Sequence, residues 1–223
     1  MGIKGVIFDL DGVLCSTDEC HYLAWKELAD SLGIPFDETI NRRLRGVSRM
    51  ESLDIILQAA GRAFSSREKQ ALAARKNERY RRLLMKLTPA DLPGGVRATL
   101  NELRRRGLRL AVGSSSKNTP LILQRLGLED LFDAVADGNA VADGTQITHS
   151  KPDPEVFLLA AERLRLPPGE CMVVEDADAG IEAALAGGFI PAGIGPAKGN
   201  AKAAYHLEQF GQLIELCGHA PVE

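Results

Sequence analysis

Short apolar runs and helical stripes take turns along this chain. Gly5 to Phe8 is apolar and β-branched, stops at Asp9, and is followed by the turn signal Asp11-Gly12, so it predicts a buried strand. From about residue 16 to about 88 the pattern turns helical. Trp25, Leu28, Ala29 and Leu32 fall at i, i+3, i+4 and i+7. Leu53, Ile56, Leu57 and Ala60 repeat that spacing, and so do Tyr80, Leu83, Leu84 and Leu87. Nothing in this stretch alternates as a strand does, which predicts roughly four helices inserted after the first strand.

From Pro93 onward strands and helices alternate. Val96, Leu100 and Leu103 mark a helix, Leu108 to Val112 a strand, Ile122 to Leu126 a helix and Phe132 to Val135 a short strand. Phe157, Ala160, Ala161 and Leu164 mark a helix, Cys171 to Val174 a strand, Ile181, Ala184 and Leu185 a helix, and Phe189 to Ile194 the last strand. Asp137 to His149 lacks periodicity and predicts a loop or a small hairpin. Repeated β-then-α units require a parallel sheet covered on both faces. The expected fold is α/β, a Rossmann-like doubly wound parallel sheet over 1–15 and 89–223, with an inserted α-helical cap domain over 16–88.

Composition narrows the partners. Apolar residues make up 45% of the 223-residue chain and charged residues 26%, enough for a real core under an ordinary wet surface. No run of about 18 apolar residues exists, so no membrane span is expected. No basic stretch followed by a long apolar run opens the chain, so no secretory leader is expected. Cys15, Cys20, Cys171 and Cys217 form no CxxC pair, which argues against zinc; Cys171 reads as a buried free thiol, and a cytoplasmic setting follows. A net charge of −3 is too mild for nucleic acid. Residues 16–90 hold 14 basic and 10 acidic residues, against 13 and 20 in the remainder. A basic insert beside an acidic body suits a small anionic substrate held with a divalent cation, for which a monomer suffices, and ordinary surface variation gives the same split.

In an open parallel sheet, ligands bind beyond the carboxyl ends of the strands. The predicted strands end there in Asp9 and Asp11, in Ser114-Ser115-Ser116-Lys117, and in Glu175-Asp176, while Lys151-Pro152 precedes a helix. A carboxylate can attack phosphorus and form an acyl phosphate. A second carboxylate two residues on can shuttle the proton of the attacking or leaving oxygen. Hydroxyls and N–H groups at a helix start bind phosphate oxygens, and lysine adds a point charge. Clustered carboxylates need a hard cation between them, and magnesium fits that need. Each motif alone is a common turn or cap; the ordered combination carries the reading.

These residues carry a resemblance. Phe8-Asp9-Leu10-Asp11-Gly12-Val13-Leu14, Ser114 in Val112-Gly113-Ser114-Ser115, Lys151 in Ser150-Lys151-Pro152-Asp153-Pro154, and Glu175-Asp176 resemble the four ordered motifs of the haloacid dehalogenase superfamily. The helical insert is similar to that superfamily's cap. Within it the chain is similar to the β-phosphoglucomutases. The carriers are His21 and Trp25 in His21-Tyr22-Leu23-Ala24-Trp25-Lys26, Arg45-Gly46-Val47-Ser48-Arg49, Arg75-Lys76-Asn77 and Ser116-Lys117-Asn118.

The resemblance implies roles. Asp9 is the residue to be phosphorylated and Asp11 the general acid/base. Ser114, Ser115 and Lys151 hold the phosphate in transfer. Arg49, Ser116, Lys117 and Asn118 hold the phosphate that stays, and Arg45, Gly46, Val47, Ser48 and Trp25 belong to the substrate-binding set. His21 and Lys76 align the sugar or the closing cap. Asp9, the Asp11 backbone carbonyl, Glu175 and Asp176 are the ligands for Mg2+. The implied substrates are a sugar phosphate and glucose 1,6-bisphosphate. Arg45, Ser115 and Ala177 depart from the residues common in that family, and Asp143 to His149 looks longer. Two rival readings keep the same residues: a Mg-dependent sugar-phosphate phosphatase, and a sugar-phosphate-binding module without catalysis, against which the intact motifs argue.

Overall fold

Gly5–Phe8 forms β1, with all four residues buried. An apolar run closed to water on both faces can satisfy its backbone only inside a sheet. The computed structural model describes residues 2–44, 48–139, 141–142, 145–146 and 149–218. The chain divides into two compact units, Thr17–Leu87 and Met1–Ser16 with Thr88–Glu223.

The first of these is helical: α1 (Asp18–Ser31), α2 (Glu38–Arg42), α3 (Arg49–Leu57) and α4 (Ser66–Leu84). Local chemistry sets the helix starts. The Asp37 carboxylate accepts from the Ile40 N–H at 2.9 Å, and Ser48 with Glu51 and Ser65 with Glu68 form reciprocal capping boxes. The predicted stripes converge: Trp25, Leu28 and Ala29 meet Leu53, Ile56 and Leu57 around Ile34 and Phe36. Leu32 and Ala60, at the ends of their stripes, are only half-buried and pack on the margin.

The second unit continues from β1 with α5 (Val96–Arg105), β2 (Arg109–Gly113), α6 (Thr119–Leu126), β3 (Ala134–Ala136), β4 (Val141–Ala142), β5 (Thr145–Gln146), α7 (Glu155–Leu164), β6 (Cys171–Glu175), α8 (Asp178–Ala186), β7 (Ile190–Ile194), β8 (Tyr205–Leu207) and α9 (Leu213–Leu216). Six strands form one parallel sheet in the order β3-β2-β1-β6-β7-β8, and β4 with β5 makes a separate antiparallel pair. Alternate side chains serve opposite faces. Ile7, Ala111 and Val173 pack under Phe157, Ala160 and Leu164 of α7 and Ala183 and Ala184 of α8. On the other face Phe8 meets the rings of Phe132 and Phe210 at 6.2 and 5.6 Å. The sheet is doubly wound.

One expectation is corrected. Phe189 to Ile194 does not end the sheet: β8 follows, pairing Ala192 with Tyr205, Gly193 with His206 and Ile194 with Leu207. Of its three residues only Leu207 is buried, so this edge strand carries no apolar run. Among the described residues no helix is long and apolar enough to cross a membrane.

The register places the chemistry. Phe8 pairs with both Val112 and Val174, so Asp9, Gly113 and Glu175 come level at the carboxyl edge. The chain leaves β1 toward β2 and returns to β1's other side as β6, so the direction of winding reverses at β1, where such sheets bind ligands.

Candidate active site

The Asp9 N–H donates to the Val174 carbonyl at 3.0 Å, carrying the strand pairing one residue past β1. Its side chain is 13% exposed. Lys151 reaches it from the loop before α7. The Lys151 Nζ donates to Asp9 Oδ1 at 2.5 Å and to the Gly113 carbonyl at 3.3 Å, and it also pairs with Glu175 Oε1. The Lys151 Nζ also lies 4.5 Å from the centre of the Phe157 ring. Burial opposes the charge on Lys151, but Asp9 and Glu175 outweigh it and hold the ammonium above the ordinary lysine range.

Glu175 is almost fully buried. Burial pushes its carboxyl up; Lys151 pulls it back, and the Asp9 charge adds to the rise. Its second oxygen accepts from the N–H groups of Asp176 at 3.0 Å and Ala177 at 3.2 Å, at the start of α8. Those donors and the helix dipole favour the anion. Gly180 makes room for it: a Cβ there would stand 2.0 Å from Glu175 Cδ. Gly12, at φ +84°, lets the turn after β1 approach Asp176, where a Cβ would stand 2.0 Å from Oδ2.

One carboxylate oxygen each from Asp9, Glu175 and Asp176 lies within 4.8 Å of the others. Three crowded oxygen donors fit a hard divalent cation, and softer nitrogen or sulfur donors are not among them. The Asp11 carboxylate is not one of the three; its expected share is the backbone carbonyl. Asp11 bridges to Cys15, and the Gly12 N–H donates to the Cys15 carbonyl at 2.7 Å, which closes the turn. A second group that could hold a metal ion, His149, Asp153 and Glu155, lies at the start of α7. There Asp153 Oδ1 accepts from the Glu155 N–H and Glu155 Oε2 from the His149 N–H.

Beside Gly113 the serine-rich loop winds into α6. The Ser116 N–H donates to Ser114 Oγ and the Asn118 N–H to Ser116 Oγ, both at 3.2 Å, and Thr119 Oγ1 donates to the Ser116 carbonyl at 2.9 Å. Ser114 and Asn118 are buried, whereas Ser115 and Lys117 are exposed. Thus Asp9, Ser114, Lys151, Glu175 and Asp176 gather at one edge of the sheet.

The helical unit gathers its own set. Lys76 is 2% exposed: its Nζ lies 2.9 Å from His21 Nδ1 and 4.6 Å from the ring centres of both Trp25 and Tyr80. The aromatic faces attract the buried cation. The His21 ring lies tilted against Tyr80, with ring centres 4.1 Å apart, and the Tyr80 hydroxyl hydrogen-bonds Thr17 Oγ1 at 2.8 Å. Burial, Lys76 and Arg49 together hold the His21 imidazole well below the usual histidine range, so its neutral Nδ1 accepts from the ammonium. Burial also lowers Arg49. The Ser48 hydroxyl is taken up in capping α3. Arg45, Gly46 and Val47 lie outside the described residues. Tyr80 was visible in the sequence only as a stripe residue. Its signal is a matched spacing, His21 with Trp25 and Lys76 with Tyr80, each at i and i+4 on facing helices.

A Bacillus subtilis protein named β-phosphoglucomutase is 45% identical over 195 residues, 86% of this chain and 84% of that protein. A Thermotoga maritima phosphorylated carbohydrates phosphatase is 34% identical over 189 residues, 84% of this chain and 82% of that protein. The crystal structure of a Clostridium difficile β-phosphoglucomutase superposes with a TM-score of 0.84 at 36% identity, covering 95% of this chain and 93% of that one. The family model for haloacid dehalogenase-like hydrolases matches residues 3–188, and the chain belongs to that family.

Proposed function

We propose that this chain is a phosphomutase that interconverts β-D-glucose 1-phosphate and glucose 6-phosphate through a phosphorylated Asp9 and a glucose 1,6-bisphosphate intermediate. The observation that carries the reading is the Asp9 carboxylate at the tip of β1, pinned by the buried Lys151 between the Gly113-Ser114 strand end and the Glu175-Asp176 pair. Similarity to a named β-phosphoglucomutase supports the choice of substrate.

In the first half-reaction, phosphorylated Asp9 gives its phosphoryl group to the sugar 6-hydroxyl. The bond from phosphorus to the Asp9 oxygen breaks, a bond to O6 forms, and Asp11 takes the proton of the 6-hydroxyl. In the second, Asp9 attacks the phosphorus on O1, and Asp11 returns the proton to the departing O1. Lys151 offsets charge on the phosphoryl oxygens throughout, and the Ser114 hydroxyl and neighbouring N–H groups orient them. Asp9, Glu175, Asp176 and the Asp11 carbonyl would hold magnesium, which would supply positive charge where carboxylates and phosphate meet. A two-ended substrate needs a second grip, which the reading assigns to Ser116, Lys117 and Asn118. It keeps for His21, Arg49 and Lys76 the binding roles that the resemblance gives them.

A sugar-phosphate phosphatase with the same Asp9 step is the second reading, favoured by the Thermotoga maritima relative. Product analysis separates the two. With β-glucose 1-phosphate and a trace of the bisphosphate, the expected product is glucose 6-phosphate without free phosphate. Stoichiometric free phosphate overturns the mutase.

A further inference from the structure

The serine-rich loop after β2 is not held by its own bonds alone. After β3 the chain runs through Asp137, Gly138 and Asn139, and this segment fastens onto the loop from the side. The Gly138 N–H donates to the Ser116 carbonyl at 3.4 Å, and Asn139 Nδ2 donates to the Lys117 carbonyl at 2.8 Å. The Asn139 amide is itself aimed. Its backbone N–H donates to Asp137 Oδ1 at 2.9 Å and its Nδ2 to Asp137 Oδ2 at 3.2 Å, and Asp137 is buried.

Gly138 fits with no room to spare. A Cβ there would stand 2.5 Å from the Ser115 carbonyl oxygen, 3.0 Å from Lys117 Cγ and 3.2 Å from the Lys117 backbone nitrogen. Two of those three atoms are backbone and cannot swing aside as a side-chain tip can. The carbonyl and the N–H of one peptide unit are coplanar and point opposite ways. Fixing the carbonyls of Ser116 and Lys117 therefore fixes the peptide planes that carry the N–H groups of Lys117 and Asn118. It also keeps two carbonyl oxygens from turning toward an anion, which they would repel.

We propose that Asp137, Gly138 and Asn139 are positioning residues for the anion grip of Ser116, Lys117 and Asn118, and through it set how tightly the phosphate that is not transferred is held. This rests on the function proposed above for that grip. Its signature is a split between binding and phosphoryl transfer. Acetyl phosphate can phosphorylate Asp9 but has no second phosphate for the loop to hold.

The test compares Gly138→Ala and Asn139→Ala with the unaltered chain. KM and kcat are measured with β-glucose 1-phosphate, and the rate of Asp9 labelling is measured with acetyl phosphate, with melting temperature as the control for folding. KM is expected to rise about tenfold in Gly138→Ala and about threefold in Asn139→Ala, where Nδ2 loses its bonds to the Lys117 carbonyl and to Asp137. Labelling of Asp9 is expected to stay within about twofold. Asn139 is exposed, so its truncation leaves a folded protein if Gly138→Ala does not fold. An unchanged KM in the folded variants, or labelling that falls in step with turnover, overturns the proposal. Asp9→Asn, run alongside, keeps the two readings apart: if it still takes label or turns over, the nucleophile assignment fails whatever the loop variants do.

Discussion

Lys151 is the residue whose charge the carboxyl edge can least spare. Its Nζ sits between Asp9 and Glu175, and Asp176 offers an oxygen within 4.8 Å of theirs. At an effective dielectric of about 20, two unit charges 4.8 Å apart repel by about 3.5 kcal/mol. Lys151→Met keeps most of the side chain's length and removes the ammonium with its bonds to Asp9, Glu175 and the Gly113 carbonyl. It leaves Glu175 in a buried site with no cationic partner, so the carboxyl either ionises at a cost or takes up a proton. Breaking a buried pair in this way costs about 3–5 kcal/mol, and that is the loss expected in urea unfolding at neutral pH with a chelator present. Two further results follow. Adding Glu175→Gln removes the stranded charge, so the double variant should recover about half of the loss. The loss should also depend on pH with a definite sign. Burial already raises the Glu175 carboxyl, and without Lys151 only the Asp176 and Ala177 N–H groups favour its anion. A carboxyl that holds its proton more tightly when folded stabilises the fold at low pH, and that contribution disappears as pH rises through the folded value. The deficit of Lys151→Met should therefore be smaller near about pH 5 than near about pH 8, growing by at most about 1.4 kcal/mol per pH unit. A deficit below about 1 kcal/mol, or one that does not change with pH, would refute the view of Lys151 as the counter-ion of this site.

Two other perturbations test the positions around it. Gly180→Ala places a Cβ 2.0 Å from Glu175 Cδ, an overpacking expected to cost about 1–3 kcal/mol in urea unfolding. Shortening the neighbour with Glu175→Asp should return part of that cost, and equal losses in the single and double variants would show that the clash is relieved elsewhere. In the helical unit, burial, Lys76 and Arg49 hold His21 below its ordinary value of 6.5, so the unfolded chain takes up a proton there that the folded chain refuses. Stability from this residue is full above that value and is lost as pH falls below it. Relative to His21→Gln, the unaltered protein should weaken by up to about 1.4 kcal/mol per pH unit below about 6.5, whereas parallel stability curves would rule out a neutral buried imidazole.

The difference between what the sequence displays and what it conceals follows from what each residue must do. Asp9, Lys151, Glu175 and Asp176 are legible because the chemistry limits their type, and because a parallel sheet delivers the ends of separated strands to one edge. The helical insert is legible because its stripes keep helical spacing, although the buried cation within it is not. Helix α4 carries Arg67, Lys69, Arg75, Lys76, Arg79, Arg81 and Arg82, and only packing against Trp25, Tyr80 and His21 makes Lys76 the buried one. The strand β8 is hidden for the opposite reason: an edge strand with one wet face needs no apolar run. Gly138 and Gly180 are the hardest to read. A glycine announces that something approaches, but the identity of the neighbour is a fact of tertiary distance, Ser115 in one case and Glu175 in the other. In this chain the reaction class is therefore written in residues with functional groups, whereas the aim of those groups is set largely by residues with none. Substitutions at the glycines should accordingly disturb binding and geometry while every functional group is still present.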